Sequence, residues 1–198
     1  MWVSLPETAR SLTESDAESI QSDEHELVAA AQADAAEFDV LYLRYVTRIY
    51  RYIRLRVALD QDALDLTQQV FLKALAALPR YRPSGIPFSA WLFRIARNAV
   101  TDHHRRHKSP IAWDLLPESL HPVSDADPET TALRRESLDA LQATLGTLDT
   151  YRRELLVLRF ASDLTVREIA AILGKPESTV KSDLRRTLQR LKGLQSED

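Results

Sequence analysis

Apolar residues recur over much of this chain at intervals of three and four, and no run of them alternates, so the hydrophobic pattern alone predicts helices rather than strands. Between Asp34 and about Val57, the residues Phe38, Leu41, Tyr42, Tyr45, Ile49, Tyr52 and Ile53 form an apolar, aromatic stripe. Arg44, Arg48, Arg51 and Arg54 lie opposite, where a solvated face is the default expectation. A second helix is expected from about Asp62 to Leu78, with Asp60 or Gln61 placed to cap it and Pro79 to end it. Its inward side is Leu66, Val70, Phe71, Ala74, Ala77 and Leu78, which presents Asp62, Asp65, Gln68, Gln69 and Lys73 outward. The Pro- and Gly-containing stretch Tyr81–Pro87 reads as a loop. It leads into a regular helix from Phe88 to about His107, whose buried stripe is Phe88, Trp91, Leu92, Ile95 and Ala99. Arg94, Arg97, Thr101, His104, Arg105 and Lys108 gather on the far side.

The sharpest pattern lies near the C-terminal end, in LTVREIAAILGKPESTVKSDLRRTLQRLK from Leu164 to Lys192. Val166, Ile169, Ala170 and Leu173 fall at helical spacing, Gly174-Lys175-Pro176 stops that helix, and Glu177 or Ser178 opens the next. There Val180, Leu184, Thr187, Leu188 and Leu191 share one side and leave Ser178, Ser182, Arg185, Arg186 and Gln189 around the other. Two tightly patterned helices about a Gly-containing turn form a helix-turn-helix. A helix in the major groove needs hydrogen-bonding side chains for base edges and positive charge for phosphates, and Ser178, Thr179, Lys181, Ser182, Arg185 and Arg186 supply both. Helices from about Thr130 to Leu145 and from Asp149 to Phe160 are expected to pack beneath it.

The remaining segments lack such periodicity. Residues 1–24 are polar and acidic and predict a mobile tail, with a short helix starting near Asp23. Residues 109–134 hold four prolines and read as a linker, and residues 194–198 as a short tail. The expected organisation is an all-α protein with two small domains, at 25–108 and 135–193, joined by the flexible 109–134 segment. The formal net charge of −3 argues against nucleic acid only if it is evenly spread, and it is not. Residues 41–108 carry thirteen Lys or Arg against four Asp, whereas residues 1–40 carry ten acids against Arg10 alone. Residues 109–139 are acidic again and residues 140–198 return to a basic excess, so two basic modules are preceded and separated by acidic segments. The chain has no cysteine, which excludes disulfides and thiolate metal sites, and it shows no apolar run long enough to span a membrane. With no signal-peptide pattern at its start, a cytoplasmic location is expected.

Aromatic residues sit beside the first basic module. Tyr81, Phe88, Trp91 and Phe93 flank Arg80, Arg82, Arg94 and Arg97, a combination that single-stranded DNA binding uses. The helical stripe accounts for Phe88 and Trp91, which leaves Tyr81 and Phe93 without a packing role.

Taken together, DALDLTQQVFLKALAAL (62–78), FSAWLFRIARNAVTDHHRR (88–106) and LTVREIAAILGKPESTVKSDLRR (164–186) resemble, in order, three segments of the extracytoplasmic-function class of bacterial sigma factors. The resemblance covers about residues 25–108 and 135–193. It implies a protein that binds core RNA polymerase through its clamp and flap regions, recognises a promoter and helps open it. Carried over by position, Ser178, Thr179, Lys181, Ser182, Arg185 and Arg186 would read the minus-35 element as duplex. Arg80, Tyr81, Arg82, Phe88, Trp91, Arg94, Arg97 and Asn98 would hold the melted minus-10 strand, including a base flipped from the stack. Asp62, Asp65, Gln68 and Gln69 would contact the polymerase clamp. The acidic linker would run through the polymerase near the RNA path, and an anti-sigma factor is a candidate partner. Leu64 and Gln69 stand where the family often has Glu, and Asp183 replaces a frequent Arg; by helical angle Asp183 can pair with Arg186 at i+3.

Two competing classes are disfavoured by residues that are absent. A response regulator with a similar C-terminal helix-turn-helix would need alternating strands and helices with clustered carboxylates at strand ends, and this chain has none; an ordinary dimeric helix-turn-helix repressor or activator is the remaining alternative of that class. For an enzyme, His103 and His107 form one i, i+4 pair, but HHRRH lacks the Glu of a zinc-protease helix and sits among cations. No metal, cofactor or catalytic activity is expected.

Overall fold

The computed structural model describes residues 14–83, 85–107 and 146–194. They form helices α1 (Glu14–Ala33), α2 (Phe38–Arg54), α3 (Asp60–Ala77), α4 (Phe88–His107), α5 (Thr150–Leu156), α6 (Val166–Leu173) and α7 (Glu177–Leu194). Short 3-10 turns precede α2 and follow α3, and a π turn, Val157–Ala161, continues α5. Among the described residues there is no strand, as the periodicity requires.

The first module packs α2, α3 and α4 around the predicted stripes. Phe38, Leu41, Tyr45, Ile49, Tyr52 and Ile53 of α2 are all buried, as are Leu66, Val70, Phe71 and Ala74 of α3. Two boundaries differ from expectation. Helix α1 begins at Glu14 rather than near Asp23, so the segment read as a mobile tail to residue 24 is helical over its second half; Val28 and Ala31 bury against the core and hold it there. Residues 1–13 lie outside the described residues. The cap of α3 is the extended Leu59, with no side-chain hydrogen bond, while Asp60 sits in the first turn and pairs with Arg54. The linker and the helix expected from Thr130 to Leu145 also lie outside the described residues.

The N-terminus of α4 is held by a residue that hydrophobic periodicity does not single out. Glu24 of α1 is only 4% exposed. Its carboxylate accepts the backbone N–H groups of Phe88 at 2.9 Å and Ser89 at 3.3 Å, and the phenol of Tyr45. A carboxylate from another helix thereby satisfies the first N–H donors of α4 and complements its dipole. Burial, then the neighbouring Glu24 charge, raises the Tyr45 phenol well above its ordinary pKa. Gln32, two turns further along α1, donates to the carbonyls of Leu78 and Tyr81, both at 2.8 Å, and ties down the chain between α3 and α4.

The second module, α5 to α7, packs directly on the first, with α6 against α4 and the π turn against α2. The arginine row of α2 is therefore not uniformly solvated. Arg48 donates from Nε to Ser162 O at 2.8 Å and from Nη2 to Asp163 O at 3.1 Å, both in the bend after the π turn.

Glu24→Gln replaces a charged acceptor of three donors with an amide that can offer only one oxygen. The substitution should cost about 1.5–3 kcal/mol in urea unfolding, with helix content at zero denaturant retained. A loss below a few tenths would show that solvent or another side chain supplies the cap equally well.

Candidate nucleic-acid interface

The helix-turn-helix is built by local rules that the sequence states clearly. Thr165 caps α6 through a reciprocal box: Glu168 N–H donates to Thr165 Oγ1 at 3.2 Å, and Thr165 N–H donates to Glu168 Oε2 at 2.6 Å. Gly174 ends α6 in the left-handed region, at φ 65°, and Lys175 N–H then closes on Ala170 O at 3.0 Å. Pro176 O accepts from Thr179 and Val180, both at 3.1 Å, to start α7. Val180, Leu184 and Thr187 bury α7 against its module, and Leu188 lies at the edge of that contact.

This packing fixes which side of α7 faces outward. Ser178, Lys181, Arg185 and Arg186 are exposed, while Thr179 and Ser182 are half-buried at the margins. All six predicted reading residues thus share one helix and one broad face. Asp183 is turned to the flank, as helical angle requires, with Arg186 Nη1 at 3.9 Å. It also accepts a 2.9 Å hydrogen bond from Tyr151 of α5. Burial and that bond push the Tyr151 phenol up to about 12, so it remains a donor at neutral pH. Asp183 therefore anchors α7 to α5 and leaves a charged edge beside Arg186.

The residues expected to hold a single strand divide into two groups. Arg80, Arg82, Arg97 and Asn98 are exposed, and Trp91 is half-buried. Tyr81 and Phe88 are instead part of the core, at 7% and 1% exposure. Tyr81 packs edge-on to Phe88 and tilted on Trp91, with centroids 5.6 and 4.9 Å away, and donates its hydroxyl to Ile86 O at 3.2 Å. The expectation that Tyr81 has no packing role is corrected: the loop folds back on α4, and the ring closes the end of the core. Phe93, also left without a packing role by the pattern, is fully buried beside Tyr52 at a centroid distance of 5.3 Å. Trp91 is the aromatic residue of this set that keeps solvent access. Arg94 donates to Ala171 O of α6, through Nε at 3.0 Å and through Nη2, and so faces the second module.

On α3, Asp65, Gln68 and Gln69 are exposed, and Asp62 is half-buried with His103 Nε2 at 3.6 Å. The helix also leaves Leu64 and Leu72 at 50% and 65% exposure, so its outward surface carries apolar residues besides the polar ones named from the sequence. Burial holds the His103 imidazole below its ordinary pKa against the opposing pull of Asp62. Among the described residues there is no group of three or more metal-ligating side chains and no helix long and apolar enough to cross a membrane.

Known proteins share this arrangement. Residues 41–109 match the family Sigma-70 region 2, and residues 138–191 match Sigma-70, region 4. The extracytoplasmic-function (ECF) RNA polymerase sigma factor BldN of Streptomyces coelicolor is 35% identical over 176 residues, covering 87% of this chain and 66% of that protein. SigD of Mycobacterium tuberculosis, of the same class, is 37% identical over 150 residues, covering 73% and 70% respectively. The chain thus spans about two thirds of the length of these relatives. Among solved structures, CnrH in complex with the cytosolic domain of CnrY aligns with a TM-score of 0.62 at 26% identity, covering 88% of this chain and 98% of that one.

An alanine at Gly174 meets nothing within 4 Å, so only its conformation opposes it. Gly174→Ala should cost about 1–2 kcal/mol in thermal or urea unfolding, and Gly174→Asn less, because Asn enters the left-handed region more readily. Equal losses for the two would point away from backbone conformation as the cause.

Proposed function

The chain belongs to the extracytoplasmic-function class of the sigma-70 family, and from that premise we propose that it binds core RNA polymerase, recognises minus-35 and minus-10 promoter elements and promotes DNA opening. The observation that carries this reading is the exposed polar and cationic face of α7, held outward by a capped, glycine-terminated turn. Ser178, Thr179, Lys181, Ser182, Arg185 and Arg186 read the minus-35 duplex in this proposal. Arg80, Arg82, Trp91, Arg94, Arg97 and Asn98 hold the melted minus-10 strand, while Tyr81 and Phe88 support that surface from beneath. Asp62, Asp65, Gln68 and Gln69 dock on the polymerase clamp, with Leu64 and Leu72 adding apolar contact. The second module meets the flap. CnrH is in complex with the cytosolic domain of CnrY, and an anti-sigma partner for this chain is part of the proposal. A helix-turn-helix regulator without a sigma role is the competing reading.

Reconstitution with core polymerase and sequencing of the transcripts tests it. Initiation at discrete sites sharing two upstream elements is expected; duplex binding with no polymerase-dependent initiation would favour the regulator. Arg185→Ala should weaken minus-35 binding by about 1–3 kcal/mol and relax base preference at one position. Equal loss on every sequence would make Arg185 a phosphate contact. Leu72→Asp should reduce affinity for core polymerase about fivefold or more without altering the duplex preference of α7.

A further inference from the structure

The contact between the two modules has a chemical polarity. Arg48, Arg94, Tyr52 and Arg56 of the first module donate, and oxygens of the second accept: the carbonyls of Ser162, Asp163 and Ala171 and the carboxylate of Glu154. Ser89 likewise donates its hydroxyl to Glu168. Arg167, which reaches Gly85 O at 3.4 Å near the rim, runs the other way.

Glu154 is the buried carboxylate among these acceptors. Its Oε2 accepts from Arg56 Nε at 3.2 Å and from Arg56 Nη2, and its Oε1 accepts from the Tyr52 phenol at 3.0 Å, with Arg97 Nε at 3.8 Å. The receiving groups all belong to the first module and are positioned by it. Arg56 Nη1 donates to Tyr52 O at 2.8 Å, and the guanidinium lies over the Tyr52 ring, 3.6 Å from its centroid. The Nε and Nη2 edge therefore keeps its aim when Glu154 leaves. Burial raises the Tyr52 phenol, which keeps it a donor. Two guanidinium groups and a hydroxyl converging on paired oxygens constitute a receptor for an oxyanion.

We infer that Tyr52, Arg56 and Arg97 form a phosphate site for a DNA strand, and that Glu154 occupies it as an internal competitor while the modules are closed. Arg94 lies one turn before Arg97 on α4 and exposed Asn98 directly follows it, so a strand crossing this face meets further cationic and polar groups beside the seat. The inference rests on the sigma-factor reading for the identity of the strand. Its failure is separable, because promoter-specific initiation with core polymerase tests that reading without reference to Glu154.

The experiment is fluorescence anisotropy of the full chain with a labelled single-stranded oligonucleotide, without polymerase, over a range of salt. Glu154→Gln keeps the side chain's shape and removes its charge. If the closed form outnumbers the open about ten to one, the variant binds about tenfold tighter, with a salt dependence steeper by about one counterion. Adding Arg56→Gln, or separately the more exposed Arg97→Gln, should remove most of that gain; circular dichroism melting confirms that each variant is folded. Unchanged affinity in Glu154→Gln, or a gain that persists when either arginine is replaced, overturns the inference.

Discussion

One carboxylate and one guanidinium, brought together from different modules, set the terms for the rest of this molecule. Arg56 is 2% exposed. A buried cation is tolerated only when its hydrogen-bonding edges are filled, because removal from water costs several kcal/mol before any attraction is counted. Tyr52 O and the Tyr52 ring serve one side of the guanidinium, and Glu154 serves the other. The position of α5 on α2 is a consequence of that requirement. An apolar contact tolerates sliding, but a buried ion pair in which two N–H groups converge on one carboxylate oxygen does not, so the pair acts as a register mark between two otherwise separable helical units.

Helix α2 repeats this device. Tyr45 and Tyr52 lie two turns apart on the same face, and each phenol donates to a carboxylate from another helix, Glu24 in α1 and Glu154 in α5. The first pairing is internal to the N-terminal module and builds the start of α4, which presents the cationic surface. The second lies between modules. One helix face thus performs a permanent structural task at one end and a separable one at the other. This division suits the proposed function, in which DNA-reading elements act at two places on a template.

The helical architecture and the helix-turn-helix were legible because both depend on local rules. Apolar spacing, Gly174 and the Thr165 to Glu168 capping box each operate within a few residues. Asp183 and Arg186 were readable for the same reason. The residues that escaped are those whose partners are remote in sequence. Glu24 meets α4 more than sixty residues away, and Glu154 meets Tyr52 across 102. A periodicity argument sends charged side chains outward by default, and nothing local to Glu24, Arg56 or Glu154 marks them as exceptions. Tyr81 and Phe93 were misplaced for a related reason. An aromatic outside the helical stripe is still buried when a loop folds over it or a second helix packs from the side, and neither arrangement leaves a periodic trace.

The π turn at Val157–Ala161 sets a rule about chain length rather than composition. A π turn is geometrically a helix carrying one extra residue, and here it delivers the carbonyls of Ser162 and Asp163 to Arg48, with Asp163 in the left-handed region at φ 50°. Removing one residue from this stretch restores an ordinary α-helix and swings the downstream chain by about 100°. Many substitutions on its outer surface leave those backbone oxygens in place, whereas a single deletion withdraws both. Drift in this lineage should therefore accept changes of side chain here more readily than insertions or deletions, even though the segment lies beside a bend where length variation is ordinarily tolerated.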